Sequence, residues 1–376
     1  MWDRLRSLSL EAWALWLTLG LTLIAALDPA LRYAKYLPAP VLLGLFLVSR
    51  QRRLYLPNIL LPFLLLIAAT ILTGFRTTPA GWKDAAFMAS YCLPFMLFRA
   101  VPLPMAAVNL AVFLTYLGAT FLSGQYQFSF SFVKSATFAE SPMSFVAGLF
   151  FIYWLTRTKD RTTWAMLALN AVFLLLSMKR AALLGLIAAG VVLVLPAAWR
   201  RVLLHPAVMV AVNLGLLAGF VLLGSGHLDA WAASHGVMLR CPPEAVQCFD
   251  ATNGRLALIA DIAKAMQANP WQFLMLGEGA GSGYSMMHSV AVQTGNLHND
   301  LIKIAFEFGL LVYVAFAWLL YRSGDRLTLA LAIYLNVIFC FDNVLIYAGV
   351  MMFLGLLRGQ ARLVDRTAQG PGEGAA

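Results

Sequence analysis

Long apolar runs, broken by short clusters of Arg, Lys, Pro and Gly, follow one another along almost the whole chain. They lack the polar stripe that a helix on a soluble protein needs, so their faces must meet lipid or one another. The pattern predicts spans at residues 12–27, 36–48, 58–73, 85–98, 105–122, 144–156, 164–176, 181–195, 206–223, 301–321, 327–341 and 344–357. The expected fold class is all-α: a polytopic membrane helical bundle of about 12 transmembrane helices. Several runs are shorter than the roughly 20 residues a bilayer asks for, so their helices extend into flanking residues or are broken. The organisation expected is an N-terminal bundle at 1–223, a large outer loop at 224–300, C-terminal membrane helices at 301–357 and a disordered tail at 358–376.

Composition and charge narrow this picture. Hydrophobic residues make up 61% of the chain and charged ones only 12%, more apolar surface than a water-soluble fold can hide. The formal charge is +10, but the basic residues follow a pattern. Arg50, Arg52 and Arg53, Arg157, Lys159 and Arg161, Arg200 and Arg201, and Arg322 and Arg326 crowd into every second connection. Lys and Arg are retained on the cytoplasmic side, so both termini are expected there. The positive face then meets anionic lipid, and no nucleic acid is needed to account for it. Arg4 and Arg6 precede an apolar run without a small-residue cleavage site, which reads as a retained first helix. Cys92 and Cys340 fall in predicted spans as packing residues. Cys241 and Cys248 lie in the outer loop, where an oxidising compartment would permit a disulfide.

Three places on the outer side carry candidate chemistry. Ser177-Met178-Lys179-Arg180 is a short outer connection with two cations on the side that disfavours them. Lys179 reads as a residue snorkelling at the membrane surface, whereas Arg180 has the fork geometry to grip an anionic headgroup. In the outer loop, residues 250–254 offer helix caps, and Leu256, Ile259, Ala260, Ala263 and Met266 recur at helical spacing until Asn269-Pro270 stops the run. This predicts an amphipathic helix on the membrane or over the bundle. Arg255 sits in its first turn against the macrodipole, which suits either a bound phosphate or a nearby carboxylate. The glycine-rich run 277–283 reads as a flexible loop allowing close approach of a long substrate, or as a plain linker. Finally, His298-Asn299-Asp300 opens the span at 301, where the histidine is either a capping residue or a base suited to neutral pH. No metal-ligand spacing is visible, and no cofactor is implied.

Taken in order, these segments resemble the O-antigen ligase and O-antigen polymerase superfamily. The resemblance rests on Ser177-Met178-Lys179-Arg180, Asn253-Gly254-Arg255-Leu256, Gly277-Glu278-Gly279, and His298-Asn299-Asp300-Leu301 with Glu307-Phe308-Gly309. It covers residues 176–321. Val312 stands where ligases of the family carry a second glycine, and Glu140, in Thr137 to Met143, resembles a short motif of some polymerases. The resemblance implies transfer of a glycan from undecaprenyl diphosphate to a sugar hydroxyl at the periplasmic face of the inner membrane, inverting and without metal. His298 would be the base, and Arg180 and Arg255 would bind the diphosphate. Asn299 and Glu140 would contact substrate. The acceptor would be lipid A core for a ligase, or a second lipid-linked glycan for a polymerase. A lipid-linked glycan transporter is the remaining alternative; the chain shows no internal repeat to favour it.

Overall fold

The computed structural model describes residues 10–27, 58–97, 102–122, 143–177, 179–237, 255–289, 298–322 and 325–368, with single positions at 31, 37 and 41. Among these, all regular structure is helical. The first half comprises α1 (Leu10–Leu27), α2 (Leu61–Leu72), α3 (Pro79–Leu97), α4 (Met105–Leu122), α5 (Met143–Leu155), α6 (Arg161–Ser177), α7 (Arg180–Val194), α8 (Ala197–Leu203) and α9 (Pro206–Gly224). The loop region contributes α10 (Asp229–Ser234), α11 (Arg255–Ala268), α12 (Pro270–Met275) and α13 (Ser282–Ser289), and α14 (Asp300–Tyr321), α15 (Arg326–Phe339) and α16 (Ala348–Ala368) follow.

Side-chain caps and prolines fix several starts. Asp160 accepts from Thr163 N at 2.7 Å ahead of α6, and Asp325 accepts from Thr328 N at 2.9 Å ahead of α15. Pro206 and Pro270 occupy first-turn positions, where a missing N–H costs nothing. By length and composition, α9 and α14 are long and apolar enough to cross a membrane, and the shorter apolar helices run to 10–17 residues. Helices occupy most of the expected apolar runs where these are described, with α3 starting at Pro79 rather than at 85 and residues 344–357 departing from a single helix; the expected span at 36–48 lies outside the described residues apart from two positions.

Helix α7 packs along α15, α14 is flanked by α2 and α9, and α16 lies against α3 and α5. The buried ring of Tyr334 on α15 fits over Gly148 and Gly185, where an added methyl would collide with it, and its hydroxyl donates to Phe145 O at 3.0 Å. Small residues facing a large one let these helices approach without a void. The expected amphipathic helix is α11. It buries Ile259, Ala260, Ile262, Ala263 and Met266 and packs on α9, so it lies over the bundle.

Two elements depart from the expectation. Residues 344–357 do not form one helix, because Asn343 (φ −92°, ψ 65°) and Tyr347 (φ −89°, ψ 81°) leave helical geometry and bracket a short 3₁₀ turn, Val344–Ile346. Helix α16 then continues to Ala368, through residues expected to belong to a tail. Arg358 pairs with Asp325 at 2.6 Å, and Gln360 accepts from Leu103 N at 3.0 Å, which ties this stretch to the bundle.

Helix α14 is also broken. Gly309 has φ 83° and ψ 165°, a region open essentially to glycine alone. The apolar run therefore forms two arms, 300–308 and 310–321, that meet at the break.

Candidate functional site

The first arm of α14 presents the His298-Asn299-Asp300 motif, and its hydrogen bonds fix what surrounds it. Asn299 caps the helix by accepting from Ile302 N at 3.0 Å, while its amide donates to Cys340 O at 3.0 Å. Asp300 accepts from Leu345 N at 2.9 Å. Both residues are buried, and together they staple the start of α14 to the turn between α15 and α16. Asn299, expected to contact substrate, is thus occupied at both ends of its amide within the protein.

That staple brings Asp342 to His298. The buried Asp342 carboxylate takes Lys179 Nζ at 2.9 Å, Tyr347 OH at 2.8 Å, its neighbour's Asn343 N at 2.8 Å and His298 Nδ1 at 3.4 Å. Burial pushes its pKa upward; the hydrogen bond with His298 and the charge and hydrogen bond of Lys179 outweigh that, holding the group well below the ordinary carboxylate range. Lys179 is therefore not a snorkelling residue. Its ammonium is turned inward, over the Phe145 ring at 5.6 Å, where it neutralises Asp342.

His298 itself has φ 26°, the one positive value at a described non-glycine residue. Such backbone costs about 1–3 kcal/mol and persists only where the surroundings over-determine it; the Asn299 and Asp300 anchors that follow it contribute to this. The side chain is 28% exposed, so Nδ1 faces Asp342 while the rest of the ring stays reachable. Arg180 follows Lys179 directly, so its Cα lies about 3.8 Å from that of a residue bonded to Asp342. Its side chain is exposed at the start of α7 and makes no ion pair among the described residues.

The sign of the Asp342 shift makes a prediction. The folded value lies below the unfolded one, so the group stabilises the fold fully above about pH 3.9 and loses that contribution as pH falls through the folded value. The melting-temperature gap between the wild type and Asp342→Asn should hold at about pH 5–6 and narrow below about 4. Thermal scans in detergent across that range check it.

The glycine-rich segment is not a free loop. Glu278 N donates to Phe306 O and Gly279 N to Glu307 O, each at 2.9 Å, and Thr78 N donates to Ala280 O at 3.0 Å. Gly277 (φ 65°) and Gly309 interlock so closely that a Cβ on either would strike the other's backbone. Backbone groups that a linker would leave to water are paired with α14 and with the α2–α3 connection. Below the site, Lys303 on α14 pairs with Asp84 on α3 at 2.6 Å.

Of the other candidates, Arg255 begins α11 as expected, although its side chain lies outside what the structure describes; so do Glu140 and the Cys241–Cys248 segment. Reading the sequence missed Asp342 and Tyr347 as parts of the site. The available signal was a lone aspartate in a very short connection between two apolar spans, where an acid needs a partner.

The sequence profile of a family described as O-antigen ligase matches residues 164–317. Over those residues the chain is similar to the O-antigen ligase family. A search of curated proteins finds no match. The superfamily is one of bacterial membrane proteins associated with glycosyltransferase-type activity in polysaccharide biosynthesis. The O-antigen ligase match takes in Lys179, Arg180, Arg255, His298 and Gly309. Asp342, Tyr347, Asp84 and Arg76 lie outside it, so part of what surrounds the histidine comes from beyond the matched segment.

Proposed function

We propose that the chain transfers a glycan from undecaprenyl diphosphate to a sugar hydroxyl, the O-antigen ligase reaction, at the periplasmic face of the inner membrane with lipid A core as acceptor. The observation that carries this reading is His298 set against the Asp342 carboxylate through Nδ1, in the same corner as Arg180. With Nδ1 committed as donor, Nε2 is left as the acceptor of a proton, and a carboxylate kept ionised by Lys179 stabilises the imidazolium that results.

In the proposed step the acceptor oxygen attacks the anomeric carbon while the bond from that carbon to the diphosphate oxygen breaks. The bonding pair leaves with the diphosphate, the hydroxyl proton passes to His298 Nε2, and configuration at the anomeric carbon inverts. Charge gathers on the leaving phosphate, where the Arg180 guanidinium, the free N–H groups at the start of α7 and the Arg255 guanidinium stabilise it. Asn299 acts as a positioning residue for the histidine. Polymerisation of lipid-linked repeat units is the second reading, favoured by Val312 in place of the ligase-type glycine.

The test is glycan transfer by the purified full-length protein in nanodiscs, in EDTA, from undecaprenyl-diphosphate glycan to core oligosaccharide or to a second lipid-linked glycan. Transfer to core is expected. Arg180→Ala should lower kcat/KM by about 10²-fold, and Arg180→Lys should restore only part of it, because the ammonium lacks the bidentate fork. Transfer confined to the lipid-linked acceptor selects the polymerase, and no transfer to either acceptor overturns both readings.

A further inference from the structure

The α2–α3 connection and the glycine-rich segment run side by side for several residues. Arg76 Nη1 donates to Gly277 O at 3.4 Å, Thr78 bonds Ala280 O, Gly81 packs on Ala280, and Lys83 Nζ lies 5.7 Å from the centre of the Tyr284 ring. Two cations of one segment thus lie along the other. Arg76 is half-buried and spends one long hydrogen bond on a carbonyl, and Lys83 is exposed. Neither makes an ion pair among the described residues. The nearest acid in sequence, Asp84, is committed to Lys303, and Glu278 makes no ion pair with either cation.

We propose that Arg76 and Lys83, with Tyr284 beside them, form a subsite for an acidic group, phosphate or carboxylate, carried on the glycan substrate. Two positive charges with no ion pair among the described residues stand on the side that the charge bias assigns to the outside, where cations are disfavoured without a reason. The guanidinium supplies a planar fork for two oxygens, the ammonium supplies a point charge, and the tyrosine ring offers an apolar wall. The seam is held in register by Thr78, whose N and Oγ1 both donate to Ala280 O, and this fixes the backbone that carries the two charges. Asp84, next to Lys83, reaches Lys303, which is about 4.5 Å along α14 from Asp300; the subsite therefore flanks the arm that bears His298. It rests on the glycan-transfer reading, and it lies outside the O-antigen ligase match as far as Arg76 and Lys83 are concerned.

An anionic phospholipid headgroup has the same chemistry, and the experiment separates the two sources. Full-length His298→Ala protein, which does not consume the ligand, is placed in phosphatidylcholine nanodiscs with or without phosphatidylglycerol. Binding of a phosphorylated oligosaccharide and of its dephosphorylated counterpart is then measured with and without Arg76→Gln and Lys83→Gln. The expected result is a loss of about tenfold or more in affinity for the phosphorylated ligand in both nanodiscs, no change for the neutral one, and a smaller loss in Arg76→Lys with Lys83→Arg, which keeps both charges but moves the fork. Unchanged affinity for the phosphorylated ligand overturns the proposal. So does a loss that appears only with phosphatidylglycerol and applies to both ligands, which would assign the cations to lipid. If charge-dependent binding persists while the wild type transfers glycan to no acceptor, the transfer reading falls and the subsite stands; transfer without charge-dependent binding gives the reverse.

Discussion

Replacing His298 with alanine should lower kcat for glycan transfer by about 10²- to 10⁴-fold while leaving the protein folded. Among the described residues the imidazole makes one bond, at 3.4 Å to Asp342, and the staple around it is made by Asn299 and Asp300. Removing the ring therefore removes a proton acceptor and leaves the turn in place; it also leaves Lys179 bonded to Asp342. Asp342→Asn acts differently. It replaces an oxygen acceptor with an amide that can turn its NH₂ toward Nδ1, favouring the tautomer that protonates Nε2 and blocking proton uptake. It also removes the carboxylate that pairs with Lys179 at 2.9 Å, so the substitution costs stability as well as turnover. Because both residues act in one step, the double variant should be scarcely slower than the worse single one. Rates from pre-formed donor in nanodiscs, normalised to folded protein, give the comparison. Multiplicative losses would show that the two residues act separately, and a His298→Ala enzyme with unimpaired kcat would remove the base from the mechanism.

The second large effect is on folding. Gly309→Ala should destabilise the protein by at least about 3 kcal/mol and lower the yield of folded material. At φ 83° and ψ 165° a side chain is strained whatever the space around it, and the space is also filled. A Cβ would lie 2.8 Å from Gly277 N and 3.0 Å from Leu276 N. Relief would require the two arms of α14 to straighten, which pulls the glycine-rich segment away from Phe306 O and Glu307 O and carries the His298 arm with it. Gly215→Ala on α9 is the control. An added methyl there meets nothing within 4 Å, and alanine is the better helix former by about 1 kcal/mol, so stability should hold or rise. Thermal unfolding in detergent of the two variants tests the contrast, and equal stability would mean that the break in α14 is not what Gly309 provides.

Much of this protein was legible in the chain because local patterns carry local structure. Apolar runs placed most helix starts to within a few residues, and Asn299 was legible as a cap because a cap acts on the N–H groups next to it. The period of Ile259, Ala260, Ala263 and Met266 announced an amphipathic helix, and Asn269-Pro270 announced its end. The ordered motifs around Arg180, Arg255 and His298 pointed to one superfamily, and the last of them included Gly309.

What the chain did not disclose depends on pairings between residues far apart in sequence. Lys179 and Asp342 are separated by 163 positions, and no spacing rule links them; only the packing of α7 along α15 and the turn beyond α15 brings them together. Lys179 looked like a surface residue because a lysine at a helix end has water to reach unless tertiary structure supplies a carboxylate. The glycine-rich segment looked mobile because glycine confers freedom on an isolated chain. In the folded protein the same missing side chains let three backbones approach, and the hydrogen bonds between them remove that freedom. Sequence by itself determined the helices, their apolar character and the residue types available for chemistry, because these follow from short-range patterning. Tertiary structure decided which of these charges compensate one another, because electrostatic pairing is set by distance in space.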